Sequence, residues 1–292
     1  MFSKARSVGE IIFDTVIIFL LSIVLLLVTY PLYFVVIASF SDPSEVLSGN
    51  LKFLPIGFNV LGYERIFQNS ELWRGYLNTI QYTLVGLAFN MSLTTLGAYA
   101  LSRRSLPGRK IMMLLITFTM YFSGGMIPSY LLMRSLGILN SIWVMVLPGA
   151  VSVFNLIIMR TFFMHFSEEL LDAASIDGCS AFGTLFKIVL PLSGPVMSVI
   201  LLYYGVGHWN EFFRGIIYLT DRSKHPLQLV LRSILIQNII TDVFDDTTYN
   251  RLLLAESVKY GVIIVSTLPV MMLYPFLQKY FVKGAMIGAL KG

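Results

Sequence analysis

The chain has 292 residues, of which 56% are hydrophobic and only 13% are charged, and this composition predicts an integral membrane protein rather than a soluble domain. A single cysteine excludes an internal disulfide, and the three histidines are too widely spaced for a helical pair of metal ligands. The net charge of +5 does not indicate a nucleic-acid partner, because the basic residues lie in short clusters between apolar runs.

Six apolar runs follow one another along the chain, each near the length of about 20 residues that crosses a bilayer. They occupy residues 11–39, 76–101, 110–133, 141–164, 191–219 and 257–281. The first run is too long for the apolar part of a signal peptide, and no small-residue cleavage site follows it, so it is predicted to remain as a helix. The predicted fold is therefore an all-α membrane protein, with six transmembrane helices in one transmembrane domain over 1–292.

The segments between these runs differ in charge. One set carries eleven Lys and Arg residues against four acidic residues, whereas in the other set the charges cancel. The first set comprises 1–9, 102–110, 160–190 and 279–292, and the second comprises 40–75, 129–140 and 220–259. Positive charge at the ends of spans marks the cytoplasmic side. Both termini, and the segment before the fifth span, are therefore predicted to be cytoplasmic.

The second span is unusually polar, with Asn78, Gln81 and Asn90 among its side chains. Such groups are costly against hydrocarbon, so this helix is predicted to lie inside a bundle or beside a wet cavity. In the fifth span, Glu211 and Arg214 lie three residues apart on one helical face. Two interpretations of this pair stay open: an ion pair at the membrane interface, or a group on a permeation path.

Motifs for enzyme chemistry are absent from the sequence. It contains no G-x-x-x-x-G-K-[ST] phosphate loop, no H-E-x-x-H and no G-x-S-x-G. We therefore expect no nucleotide site and no catalytic residue in this chain.

A polar stretch at 168–191, "EELLDAASIDGCSAFGTLFKIVLP", interrupts the apolar pattern. Ser167 is predicted to cap a helix whose first turn carries Glu168 and Glu169, where carboxylates favour the positive end of the helix dipole. Gly178 is predicted to end this helix in the left-handed conformation.

A second short helix is predicted to begin at Ser180, before Pro191 opens the fifth span. Its apolar positions follow helical spacing on one predicted face: Phe182, Leu185, Phe186 and Val189. Small residues such as Ala173 and Ala174 would permit close approach of a partner, which favours a docking element. A surface helix pair without a partner is the alternative.

The spacing in "DAASIDGCSAFGTLFKIVLP" resembles the EAA loop of ABC importer permeases. The matching positions are Asp172, Ala173, Ala174, Gly178, Ile188, Leu190 and Pro191. Asp172 stands where the family usually has Glu, which keeps the charge on a shorter side chain. The stretches "GAYALSRRSLPGRK", "IPSYLLMRSLGILNSIWVMVLP", "HWNEFF" and "KGAMIGALKG" are similar to the carbohydrate-uptake branch, in particular to the smaller six-span partner of the maltose type and to permeases for oligosaccharides and polysaccharide fragments.

The resemblance implies a permease subunit in a bacterial inner membrane. Its implied partners are a second homologous permease, two cytoplasmic ABC ATPase subunits, an extracellular solute-binding protein, membrane lipid and a carbohydrate substrate. ATP and Mg would bind the ATPase subunits, and this chain would hold no cofactor. An ABC permease for another solute and an ATP-independent secondary transporter are the alternatives.

The resemblance also implies sites. The segment 168–191 would be the coupling helix seated in a cleft of an ATPase, through Glu168, Glu169, Asp172, Ala173, Ala174, Asp177, Gly178, Phe182, Ile188, Leu190 and Pro191. The tail would offer a further ATPase contact through Lys283, Lys291 and Gly292. Since carbohydrates are held by aromatic faces, amides and hydroxyls, the candidate sugar path comprises Asn78, Gln81, Asn90, Trp209, Asn210 and Glu211. Helix packing is the alternative role for these path residues.

Overall fold

The structure is a computed structural model that describes residues 8–240, 253, 255–272 and 275, apart from the side chains of 237–240. All regular structure in these residues is helical. The helices of the first half are α1 Val8–Ser39, α2 Pro43–Leu47, α3 Leu61–Gln68, α4 Ser70–Ser102, α5 Arg109–Tyr121, α6 Met126–Ser135 and α7 Trp143–Val146. Those of the second half are α8 Val153–Phe163, α9 Glu168–Ile176, α10 Ala181–Thr184, α11 Leu190–Leu192, α12 Gly194–Trp209, α13 Phe213–Tyr218, α14 Leu227–Ile240 and α15 Ala255–Met272.

Some helices are long enough to cross a bilayer alone, and others only as bent pairs. Among the described residues, α1, α4 and α15 are each long and apolar enough to cross a bilayer alone. Three further pairs reach this length only if each bent pair is one span: α5 with α6 (112° bend), Trp143–Gly149 with α8 (52°), and Ala181–Leu192 with α12 (85°). The division into six spans stays a prediction, and most of 273–281 in the sixth predicted span lies outside the described residues.

One compact unit is formed by the described residues of 1–69 with those of 234–267. Its helix α1 exposes most of its apolar side chains, while a small core gathers at its end around Ile37, Ala38, Val46 and Leu51. Asp42 caps α2 by accepting a hydrogen bond from the Ser44 N–H at 2.9 Å. A hydrogen bond from the Ser44 hydroxyl, followed by this backbone bond, holds the pKa of Asp42 below its ordinary value.

The second unit comprises 70–233 with the described residues of 268–292. In it α4 packs against both α8 and α12, and the core between them includes Ala98, Leu156, Met159 and Ile200. Polar residues of α4 such as Asn90 are buried in this packing. The part of α4 around Asn90 therefore lies inside the bundle as predicted, whereas Gln81 on the same helix is exposed.

The long helix of the predicted fifth span begins three residues after Pro191, which the sequence predicts to open this span. Pro191 lies in the short helix α11, and α12 begins only at Gly194, after the 85° bend. Pro195 explains the position of the break, because a proline lacks the N–H group and its ring clashes with the carbonyl four residues earlier, here that of Pro191. In the second position of α12 the same ring is well tolerated.

Candidate functional site

The segment 168–191 begins as its sequence predicts. The Ser167 hydroxyl caps α9 by accepting from the Leu170 N–H at 3.4 Å. Gly178 has a φ of +78°, and the Cys179 N–H donates to the Ala174 carbonyl at 2.9 Å, which closes α9 with a left-handed glycine cap. Ser180 then caps α10 by accepting from the Gly183 N–H. The two caps and the glycine fix a defined corner between α9 and α10.

The second half of the segment departs from the predicted single apolar face. Leu185 and Val189 are each 1% exposed within the core, whereas Phe182 and Phe186 are 65% and 59% exposed. Leu185 and Val189 pack in the core between α4, α8 and α12, and a π-helical turn over Leu185–Val189 interrupts the regular helical spacing after Phe182. Ile176, 87% exposed at the end of α9, joins the exposed aromatic rings and was not anticipated from the sequence.

The predicted coupling residues fall into two groups. Most are exposed: Glu168, Glu169, Asp172, Ala173, Asp177, Gly178, Phe182 and Pro191. Ala174 is buried, and Ile188 and Leu190 are half-buried, so these three pack within the chain. The segment therefore offers carboxylates and apolar side chains outward and is anchored by small and aliphatic ones.

Two predicted cytoplasmic loops meet beside α9. Arg104 Nε lies 3.0 Å from Glu168 Oε1, and a cavity of about 810 Å³ lies between residues 102–105 and 163–172. Arg160 Nε donates to the Leu101 carbonyl at 2.9 Å, which places a cation at the C-terminal end of α4, where the helix dipole favours it. An exposed ion pair and a shared cavity thus lie between α9 and the residues that follow α4.

A buried polar node joins α4 and α12 at the bend before α8. The Asn90 amide donates to the carbonyls of Gly149 and Ala150 at 2.7 and 2.9 Å. Asn90 Oδ1 lies 2.7 Å from His208 Nε2. Backbone carbonyls released by a helix bend must be satisfied when no water reaches them. Asn90 therefore has a structural role at the bend.

Four other candidate path residues also make intramolecular contacts or face outward. The Asn78 amide donates to the carbonyls of Ser223 and His225 at 2.8 and 3.0 Å, and Gln81 is exposed. The Trp209 ring is 9% exposed and its centroid lies 6.1 Å from that of Tyr76. Asn210 Oδ1 accepts a long hydrogen bond of 3.5 Å from Gln228.

Glu211, the sixth candidate, lines a cavity of about 420 Å³ at the start of α8. Its carboxylate lies 3.2 Å from Arg214 Nε, and Arg214 also donates to the Met145 carbonyl at 3.0 Å. Phe154, Asn155 and Tyr203 border the same space. Sequence reasoning missed these three, because isolated aromatic and amide residues in apolar spans give no signal of which side they face.

Neither a metal site nor the tail adds to the candidate sites. Within the described residues, no group of three or more His, Cys, Asp or Glu side chains is placed to hold a metal ion. The tail residues Lys283, Lys291 and Gly292 lie outside the described part of the chain.

A family model described as "Binding-protein-dependent transport system inner membrane component" matches residues 93–287. The chain belongs to this family. It is a permease subunit of an ABC importer and resides in the inner membrane, as the EAA-loop resemblance predicted.

Relatives along nearly the full length agree with this membership. The permease is 41% identical over 286 residues to the polygalacturonan/rhamnogalacturonan transport system permease protein YtcP of Bacillus subtilis (strain 168), covering 96% of this chain and 99% of the relative. It is 27% identical to the arabinooligosaccharides transport system permease protein AraQ of Halalkalibacterium halodurans, covering 90% and 91%.

A solved structure gives the same answer for the fold. The permease matches a chain from the crystal structure of a bacterial ABC transporter that imports the acidic polysaccharide alginate, with a TM-score of 0.86 and 32% sequence identity. The match covers 96% of this chain and 100% of that chain. The predicted all-α class is thereby confirmed.

Proposed function

We propose that this permease forms, with a second homologous permease, the membrane path through which a bacterium imports oligosaccharide fragments of a polysaccharide. The observation that carries the substrate class is the full-length similarity, at 41% and 32% identity, to permeases whose names give polygalacturonan/rhamnogalacturonan and alginate as cargo. An extracellular solute-binding protein would deliver the saccharide to the outer side. Both termini would lie in the cytoplasm, as the charge distribution predicts.

Two cytoplasmic ATPase subunits would bind ATP and Mg and supply the energy. The segment 168–191 would sit in a cleft of one ATPase, because it is a capped corner with exposed carboxylates and apolar side chains on the predicted cytoplasmic side. Closure of the ATPases on ATP would move this corner and bias the paired permeases toward the outward-facing state. Hydrolysis would allow the return.

Uptake by the reconstituted assembly tests the function. Both permeases, the ATPases and the solute-binding protein are placed in proteoliposomes, and radiolabelled trigalacturonate is supplied on the binding-protein side with ATP on the ATPase side. We expect uptake that requires hydrolysable ATP and the binding protein. A non-hydrolysable ATP analogue serves as the matched control.

Two results would contradict the proposal at different levels. Uptake driven by a proton or sodium gradient without the ATPases would remove the ATP-coupled mechanism. ATP-driven uptake of a peptide or of phosphate, with no uptake of trigalacturonate or maltotriose, would remove the carbohydrate class alone.

A further inference from the structure

We propose that the cavity at the start of α8 is a saccharide subsite carried by this subunit, and that it holds a pyranose ring of the cargo. The inference rests on the proposed function. The subsite is defined by Phe154, Asn155, Tyr203, Glu211 and Arg214, and its volume is about 420 Å³. This volume lies within the range of roughly 300–1,000 Å³ that is usual for small-molecule sites.

The side chain of Asn155 carries the inference. The residue is only 4% exposed and lines the cavity. Its backbone N–H donates to the Ser152 hydroxyl, but no hydrogen bond among the described residues involves its side-chain amide. Buried amides normally have partners, as Asn90 has on the neighbouring helix. An amide that both donates and accepts toward a cavity suits the hydroxyl groups of a sugar.

Two aromatic rings border the same cavity. Phe154 and Tyr203 are 52% and 46% exposed, and their centroids lie 6.3 Å apart with 41° between the ring planes. Exposed aromatic faces beside hydrogen-bonding groups match the amphipathic surface of a pyranose, which has apolar C–H faces and a polar rim. The rings would hold the face of the sugar while Asn155 binds its edge.

The charged groups of the cavity form a fixed, neutral pair. Glu211 Oε1 accepts from the Arg214 N–H at 3.1 Å, and Glu211 Oε2 lies 3.2 Å from Arg214 Nε. A neutral pair offers acceptors and donors to hydroxyl groups without attracting net charge. The subsite is therefore expected to bind neutral and acidic sugar rings alike, so that selection for acidic cargo lies elsewhere in the transporter.

The test uses the complete transporter with two variants in the cavity. Asn155→Leu and Tyr203→Ala are each expected to lower the ATP-driven uptake of both trigalacturonate and maltotriose about tenfold, which corresponds to ~1.4 kcal/mol. Asn155→Leu is expected to leave the melting temperature of the purified assembly nearly unchanged, because the amide has no hydrogen bond to the described residues and the new side chain is apolar and of similar volume. Tyr121→Ala, at a 76% exposed position on α5, is the matched aromatic control and should retain uptake.

Occupancy is measured directly with a thiol. In a Cys179→Ser background, which removes the single native cysteine, Val151→Cys, at a 42% exposed position that borders the cavity, should react with methanethiosulfonate ethylammonium, and trigalacturonate should slow the reaction during turnover. Wild-type uptake in both cavity variants, or a reaction rate that sugar does not change, would overturn the subsite and leave the proposed function standing. Loss of the second permease from the purified variants would instead identify the cavity as a subunit contact and overturn the subsite. Failure of the wild type to import either sugar would remove the carbohydrate function and the subsite together.

Discussion

At the scale of single residues, Gly86 sets the closest approach of α4 to α12. A Cβ built at this position would lie 2.3 Å from His208 Nε2, well inside van der Waals contact. The absence of a side chain therefore lets the His208 ring reach Asn90, whose amide in turn binds the carbonyls of Gly149 and Ala150. One glycine thus supports the polar node at the bend before α8.

Gly86→Ala is expected to displace the His208 ring and break its bond to Asn90. Because the atoms involved are buried, the free energy of unfolding should fall by about 1–3 kcal/mol. Thermal unfolding of the purified assembly would measure this change. In the matched control Gly205→Ala, the new Cβ would meet only Leu87 Cδ1, at 3.9 Å, and helix propensity should raise stability by roughly 0.5–1 kcal/mol. Equal effects of the two variants would contradict the steric explanation.

The same node shows which residue roles the sequence does not reveal. The polar residues on α4 correctly predict burial at Asn90, because hydrocarbon penalises such groups, but not at Gln81, which is exposed. The pattern does not tell a sugar ligand from a packing group, since the partners of Asn90 lie 59 and 60 residues away at a helix bend. The roles of Asn155 and Tyr203 cannot be predicted from the sequence for a related reason: only the tertiary fold defines the cavity that they line.

At the scale of elements, the corner between α9 and α10 exposes apolar side chains on the predicted cytoplasmic side. Ile176 and Phe182 are 87% and 65% exposed, which is unfavourable in water and typical of an interface. Lipid does not explain this exposure if the segment lies in the cytosol. An ATPase surface would cover these side chains.

Ile176→Ser and Phe182→Ser are each expected to reduce copurification of the ATPase by about tenfold or more, in line with the loss of an interface anchor of ~1.4 kcal/mol or greater. The stability of the permease itself should change by less than about 0.5 kcal/mol, because both side chains are exposed in this chain. Pull-down of the ATPase and thermal unfolding report the two quantities separately. Leu47→Ser, at a 48% exposed position in a predicted outer segment, is the matched control, and an equal loss of ATPase in this variant would contradict the assignment.

In this corner, the helix caps can be predicted from the local sequence, but the π turn cannot. Ser167, Gly178 and Ser180 act through bonds to residues within a few positions, so their caps are readable from the sequence. The π turn at Leu185–Val189 has no such signature. Which side chains of this stretch enter the core, Leu185 and Val189 rather than Phe182 and Phe186, depends on packing against α4, α8 and α12.

At the scale of the whole molecule, an apolar run in the sequence does not show whether the helix over it is straight or bent. A run of suitable length reports hydrophobicity alone, so it does not distinguish the continuous α4 from the bent pair of α5 and α6. A bend leaves backbone carbonyls without their helical hydrogen bonds, and another helix must supply donors, as Asn90 does before α8. Such bends therefore follow from tertiary partners and escape a count of apolar residues.

The orientation of the chain rests on the charge difference between the two sets of connecting segments and is open to direct measurement. Starting from Cys179→Ser, Arg104→Cys and Arg222→Cys each place one thiol at an exposed position, in a predicted cytoplasmic loop and a predicted outer loop respectively. A membrane-impermeant maleimide should label Arg222→Cys in right-side-out vesicles and Arg104→Cys only in inside-out vesicles, because a charged reagent does not cross the hydrocarbon core. Labelling of both positions from one side would contradict the alternation of the loops. The reverse pattern would place 168–191 outside the cell, where a cytoplasmic ATPase cannot bind it. That result would contradict both the predicted orientation and the coupling role.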